Sequence, residues 1–260
     1  FAALKSVNES VKFPDRYFKN NVGSLENILN CIESEEVKGF VFSSSCTVYG
    51  QPDILPVTES SPFKKPESPY AETKQICEKI IEEFSVNSKK PSISLRYFNP
   101  VGAHESGLIG ELPNGIPDNL VPFITQTAIG KREKLKVFGN DYMTKDGTPV
   151  RDYIHVVDLA EAHLSAVNRL MKDDADENYE FFNIGTGTGY TVLEVINSFE
   201  RVNKIKLPYE IVGRREGDIE SIFSDNKLSR CKLNWSAIRD LDQMMKSAWI
   251  WEKKLKESDS

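Results

Sequence analysis

The order of three stretches constrains the fold of this chain more than anything else in it. A short apolar run, Gly39-Phe-Val-Phe-Ser43, is followed by a helical stretch that carries Tyr70 and Lys74, and then by a second strand-like run from Ser92 to Tyr97. Strand, helix, strand in this order is the signature of parallel pairing, so residues 1–98 are expected to form part of a doubly wound α/β sheet. The first run ends in Ser43-Ser44-Ser45. Small polar residues at the carboxyl end of a parallel strand face the edge where ligands bind. Ahead of it, Tyr17, Val22, Leu25, Ile28, Leu29 and Ile32 recur at threes and fours, which predicts a helix over 14–34.

After Pro100 the texture changes. Residues 103–118 are rich in glycine and proline. Helices are expected over 119–129, 157–171, 191–202 and 241–255, with short strands at 134–138, 151–155, 181–184 and 208–212. Residues 1–100 therefore read as one α/β domain, and 101–260 as mainly a smaller α/β lobe with some chain returning to the first. Gly185-Thr-Gly-Thr-Gly189 invites a dinucleotide reading, but its spacing departs from G-x-G-x-x-G and it is expected to be a structural turn.

A net charge of −6 with no long basic run argues against nucleic acid or an anionic membrane as partner. No apolar stretch approaches the roughly 20 residues that a membrane helix needs, and no secretory signal is visible. Cys31, Cys46, Cys77 and Cys231 show no metal spacing and read as reduced thiols of a cytoplasmic protein. No metal is expected.

Tyr70 and Lys74 are four apart, on one face of their helix. An ammonium beside a phenol favours the phenolate, and a tyrosine so tuned can exchange a proton with an alcohol. Ser45 and Tyr70 are both expected at the carboxyl edge of the sheet. A hydroxyl and a phenol there suit removal of a proton from an alcohol while a hydride leaves the same carbon. Taken alone, the tyrosine and lysine also fit an ordinary amphipathic helix.

Six motifs follow one another in order: Phe42-Ser-Ser-Ser-Cys-Thr-Val-Tyr-Gly50, Ser68-Pro-Tyr-Ala-Glu-Thr-Lys74, Arg96-Tyr-Phe-Asn-Pro-Val-Gly-Ala103, Gly139-Asn-Asp-Tyr142, Val150-Arg-Asp-Tyr-Ile-His-Val156 and Arg214-Arg-Glu-Gly-Asp218. Together they resemble the UDP-glucose 4-epimerases, a branch of the extended short-chain dehydrogenase/reductases. The resemblance implies an NAD-binding Rossmann domain and a smaller lobe for the UDP-sugar. It implies transient oxidation at C4 to a 4-keto sugar and re-reduction from the other face, interconverting UDP-glucose and UDP-galactose. Carried over by motif, Tyr70 is the acid/base, Lys74 lowers its pKa and holds the nicotinamide ribose, and Ser45 relays the proton. Lys5, Asn20 and Phe98 match cofactor contacts. Asn99, Asn119 and Leu120 match substrate contacts, Lys136, Val137 and Phe138 line the uracil, Arg151 and Arg215 meet the diphosphate, and Asp218 meets a ribose hydroxyl. The resemblance further implies a homodimer joined by residues 14–34 and 69–86, and a side chain at Ile222 that gates sugar bulk.

The same likeness places a glycine-rich phosphate loop ahead of Phe1. On that basis the 260-residue chain by itself is expected to bind NAD poorly and to be insoluble or inactive. A nucleotide-sugar 4,6-dehydratase is the nearest rival, but its elimination chemistry needs a carboxylate pair where this chain has Cys46-Thr47. A rival of another class is a non-catalytic remnant that binds UDP-sugars. Ser43 and Ser44 are expected to be packing residues, Cys46 a small filler, His155 and His163 structural, Met244 and Met245 core, and Trp249 and Trp251 anchors of the last helix.

Overall fold

The structure, a computed structural model, describes residues 3–215 and 218–258, so Glu216 and Gly217 of the last motif lie outside it. In chain order the helices are α1 (Val7–Lys12), α2 (Pro14–Tyr17), α3 (Gly23–Ser34), α4 (Pro69–Ser88), α5 (Leu120–Ala128), α6 (Val156–Met171), α7 (Val192–Asn203), α8 (Lys227–Lys232) and α9 (Leu241–Ser258). The strands are β1 (Phe40–Ser45), β2 (Ser92–Tyr97), β3 (Asn99–Val101), β4 (Leu135–Phe138), β5 (Val150–His155), β6 (Tyr179–Ile184), β7 (Gly189–Thr191), β8 (Tyr209–Val212) and β9 (Ser221–Ile222). The chain divides into two compact units. The first is Phe1–Tyr97, Glu161–Ile184 and Asp225–Ser236; the second is Phe98–Ala160, Gly185–Ser224 and Ala237–Ser260.

In the first unit, β1, β2 and β6 form a parallel sheet in that order, as the strand–helix–strand pattern predicts. The helix that joins β1 to β2 starts at a defined point. Ser68 is its N-cap and accepts the Ala71 N–H at 3.2 Å, and Pro69 occupies the first helical position, where its missing N–H costs nothing. Leu25, Leu29 and Ile32 line one face of α3 and pack with Cys77 and Ile81 of α4 and Tyr179 of β6. Fully burying each such aliphatic side chain contributes about 1.5–3 kcal/mol. The predicted 14–34 helix is broken in one place: residues Phe18–Val22 form a π-turn, which re-aims Asn20 and Asn21.

The second unit has two sheets. β3 and β9 pair parallel to β5, β7 pairs antiparallel to it, and β4 and β8 form a separate parallel pair. Its core joins α5, α7, α9 and β4 through Ile124, Val137, Ile196, Phe199, Met244 and Met245, all fully buried. Helix α7 opens with a capping box, in which Thr191 accepts the Glu194 N–H while the Glu194 carboxylate accepts the Thr191 N–H. Trp249 packs edge-on against Phe199 with centroids 5.8 Å apart, and Trp251 donates to the Glu111 carbonyl at 2.9 Å, so both tryptophans anchor α9.

His155 is structural. Its Nδ1 accepts the Val157 N–H at 3.1 Å, so the proton of the neutral ring sits on Nε2 and is donated to Ser247 Oγ, also at 3.1 Å. Ser247 in turn accepts the Ala103 N–H and donates to the Met244 carbonyl. Gly102, at φ +83°, lets the backbone turn here; a Cβ would lie 2.9 Å from Ser247 Oγ. Burial pulls the His155 pKa below its ordinary value; Asp158 opposes this, and Arg239 and His104 add to it. A folded-state value lowered in this way means the contribution is fully present above about pH 6.5 and is lost as the pH falls. We expect the denaturation midpoint to drop between about pH 7 and pH 5, and to drop less steeply in His155→Asn. Equal slopes for the two proteins would contradict this.

Candidate active site

Three residues that the sequence singles out meet in the first unit. Ser45 ends β1 and caps the 3-10 turn Cys46–Tyr49 by accepting the Thr47 N–H at 3.3 Å. Its hydroxyl also lies near enough to Tyr70 to favour the phenolate. Lys74, one turn further along α4, places Nζ 5.7 Å from the centre of the Tyr70 ring and 4.7 Å from that of Phe42, and donates to the Ser43 carbonyl at 2.8 Å.

The electrostatics differ from the sequence expectation. Burial pushes the Tyr70 phenol well above its ordinary value, the nearby Ser45 hydroxyl opposes this, and the neighbouring Tyr97, Cys46 and Tyr17 add to the rise. Lys74 is itself buried at 5% exposure, and burial lowers its pKa while Cys77 and Glu78 oppose that. The ammonium is turned toward a strand carbonyl rather than the phenol oxygen. Ser45 is the neighbour that pulls the phenol down against its burial.

Lys5 is exposed, and Asn20 lies on the π-turn. They are tied together by a residue that sequence reasoning missed. The buried amide of Asn21 accepts the Leu4 N–H at 2.9 Å, donates to the Leu4 carbonyl at 3.0 Å and accepts from Asn20 Nδ2 at 3.0 Å. It also reaches Thr73 Oγ1 at 3.4 Å, and Thr73 donates to the Tyr70 carbonyl at 2.7 Å. Asn21 therefore fixes the segment bearing Lys5 and Asn20 against α4. The Asn-Asn pair inside an apolar helical pattern is the signal that could have found it.

In the second unit, Arg151, Arg215, Asp218 and Phe138 come together. Arg215 donates to both Asp218 oxygens, at 3.2 and 2.8 Å, and Arg151 lies 3.5 Å from the same carboxylate. The Arg215 guanidinium sits over the Phe138 ring, 5.6 Å from its centre. Two cations on one carboxylate leave a net positive cluster beside an aromatic face, which suits a diphosphate next to a base. Alternation along β4 exposes Lys136 and Phe138 and buries Val137, so the Val137 side chain belongs to the core and only its backbone is left to meet a ligand. Asn119 occupies the N-cap position of α5 without capping it; its amide donates to Glu111 at 2.8 Å, and the adjacent Leu120 packs on the core. Phe98 is buried at 4% exposure, and Asn99 opens β3 opposite Tyr153. Ile222 is buried in β9, in register with Arg151.

Arg151 has a rigid neighbour. Asp152, fully buried, accepts from Thr186 N and Oγ1 (2.9 and 2.7 Å), Gly187 N (3.1 Å) and Ser224 N and Oγ (3.1 and 2.6 Å). The glycine-rich turn thus does hold an anion, but the anion is the chain's own carboxylate. Gly187 takes φ +78°, and a Cβ on Gly185 would lie 2.4 Å from Asp152 Oδ2, so the turn is built around that side chain.

Parallel α/β pairing with a serine at a strand end and a tyrosine and lysine four apart on the next helix is the arrangement of a short-chain dehydrogenase/reductase. The family model described as GDP-mannose 4,6 dehydratase matches residues 1–248. A UDP-glucose 4-epimerase of Pasteurella multocida is 52% identical over 98% of this chain and 75% of its own length. That of Bacillus subtilis is 47% identical over 97% of this chain and 74% of its own length. Among solved structures, the UDP-glucose 4-epimerase of Stenotrophomonas maltophila with bound NAD and formylated UDP-arabinopyranose superposes with a TM-score of 0.95 at 43% identity, over 99% of this chain and 76% of that one. The Bifidobacterium longum enzyme in complex with NAD+ and UDP gives 0.92 at 44%, over 98% and 75%. The chain belongs to the UDP-glucose 4-epimerase family.

Proposed function

We propose that this chain interconverts UDP-glucose and UDP-galactose by oxidation and re-reduction at C4 with bound NAD, and that Tyr70, Ser45 and Lys74 handle the proton. The observation that carries the residue assignment is the convergence of Ser45 at the end of a parallel strand with Tyr70 and Lys74 on the helix beside it, where Lys74 donates to the Ser43 carbonyl of that strand at 2.8 Å and lies 5.7 Å from the Tyr70 ring centre. The donor set suits NAD: Lys74 has three N–H donors, of which the Ser43 carbonyl takes one, and a ribose diol can accept the rest. Lys74, Tyr70, Ser45, Asn20, Lys5 and Phe98 would hold it. When bound, NAD supplies a hydride acceptor and donor at C4 and a positive ring charge that favours an ionised phenol nearby.

Tyr70 Oη takes the proton of the sugar 4-hydroxyl, directly or through Ser45 Oγ, and returns it by the same route. Arg151 and Arg215 grip the diphosphate as guanidinium forks, Asp218 orients them and meets a ribose hydroxyl, and Lys136 to Phe138 wall the uracil. Asn99, Asn119 and Leu120 complete the substrate contacts. No carboxylate stands at Cys46 or Thr47, so the water-expelling chemistry of a dehydratase lacks its acid and base.

A cytoplasmic homodimer fits this reading. No helix among the described residues is long and apolar enough to cross a membrane, and α3 and α4 leave Ile28 and Val86 exposed. Once NAD is shown to be bound, incubation of the protein with UDP-galactose should yield UDP-glucose; an unchanged substrate pool with NAD in place would overturn the reading. Arg215→Ala should raise KM for UDP-galactose by about ten- to a hundredfold, because a charge-assisted hydrogen bond is worth about 1.5–3 kcal/mol. Its kcat should be nearly unchanged, since a remote phosphate is gripped equally in ground and transition states. A fall in kcat at constant KM would place Arg215 in the chemistry instead.

A further inference from the structure

A buried polar network lies directly behind the Ser45–Tyr70 contact. Glu78 is four residues beyond Lys74 on α4, so Tyr70, Lys74 and Glu78 form one row down the helix. Each meets β1: Tyr70 at Ser45, Lys74 at the Ser43 carbonyl, and Glu78 at the Ser44 hydroxyl, which donates to its carboxylate. Glu78 is in turn gripped by Arg96, whose Nε lies 3.0 Å from each carboxylate oxygen and whose Nη2 lies 2.6 Å from Oε2. Both partners are about 97% buried.

Strand register explains why they converge. Ser44 of β1, Arg96 of β2 and Asn183 of β6 occupy one row across the sheet. Arg96 Nη1 donates to the Tyr49 hydroxyl at 3.0 Å, and Tyr49 donates to Asn183 at 2.7 Å. Tyr49 ends the turn that Ser45 caps. Ser45 is thus pinned on one side through its neighbour Ser44 and on the other through Tyr49, and both anchors end on the Glu78–Arg96 pair.

We propose that Glu78, held by Arg96, is a positioning residue for catalysis: it fixes Ser44 and the Tyr49 turn so that Ser45 stays beside Tyr70. An ion pair buried behind an active site is weak support for stability by itself, since an apolar replacement often does as well. What this pair adds is a row of contacts that joins the acid/base helix to the strand carrying its relay.

This inference rests on the role given to Tyr70 above, and the test separates the two. Glu78→Gln leaves Arg96 unpaired and risks misfolding, so the decisive variants are Ser44→Ala and Tyr49→Phe, which keep the ion pair. In the NAD-loaded enzyme each should lower kcat about tenfold or more, because small misplacements of reacting groups are costly, while KM for UDP-galactose stays within about twofold. The pH titration of kcat should move to higher pH in both variants, as Ser45 moves away from the phenol. Ser85→Ala is the control: its buried hydroxyl, on the same helix, donates to the Ile81 carbonyl at 2.7 Å, away from β1. It should lose stability with kcat and the titration unmoved. If Ser44→Ala and Tyr49→Phe behave like Ser85→Ala, the positioning role is wrong. If Tyr70→Phe keeps its full rate, the role of Tyr70 fails, and the positioning role fails with it.

Discussion

Tyr70→Phe should lower kcat for UDP-galactose turnover by about two to four orders of magnitude, the range in which a positioned acid/base contributes. KM should change by less than about threefold, because the variant keeps the ring and loses only the oxygen that exchanges the proton. The fold should survive: the phenol sits at the second residue of α4, and the Ser68 cap and Pro69 that start the helix are untouched. Ser45→Ala should cost less than Tyr70→Phe, since water can stand in for a relay but not for the acid/base. Rates that rank the other way would move the proton chemistry from the phenol to the serine. The prediction does not depend on Lys74 tuning the phenol directly. In this structure that ammonium gives one hydrogen bond to the Ser43 carbonyl, and the Ser45 hydroxyl opposes the burial that holds the phenol high.

Arg96→Met should destabilise the first unit by about 3–5 kcal/mol, the cost of leaving one member of a buried ion pair uncompensated. The Glu78 carboxylate would keep only the Ser44 hydroxyl at hydrogen-bond length and Tyr179 at 3.4 Å. Chemical denaturation of the single variant and of Arg96→Met combined with Glu78→Leu measures the coupling. The double variant should recover most of the loss, because two apolar side chains pack where two charges stood. A single variant that costs less than about 1 kcal/mol would mean that water reaches Glu78.

The elements that sequence periodicity makes visible are those with enough turns or alternations to show it. β1, β2 and α4 lie close to where the apolar runs and the Ser68–Pro69 start signal place them. β3, β7 and β9 are two or three residues long and carry no period; they exist because β5 offers them a ladder. The π-turn at Phe18–Val22 is invisible for a related reason, since apolar spacing there still fits a plain helix.

The site was legible where its residues are local. Tyr70 and Lys74 share a helix face by spacing alone. The Arg151–Asp218 contact and the five hydrogen bonds onto Asp152 join residues 34 to 72 apart, so only the folded register brings them together. Ser44 looked like a packing residue because nothing nearby in sequence explains it. Its partner Glu78 is 34 residues away, and both were hidden in plain strand and helix patterns.

The most direct test of the central claim is to run UDP-galactose through the NAD-loaded enzyme in deuterated water and read C4 of the UDP-glucose formed. The account predicts protium there, because the hydrogen leaves and returns as hydride while only the oxygen-bound proton passes through Tyr70. Deuterium at C4 would mean that a proton is drawn from that carbon, and the assignment of Tyr70, Ser45 and Lys74 would not stand.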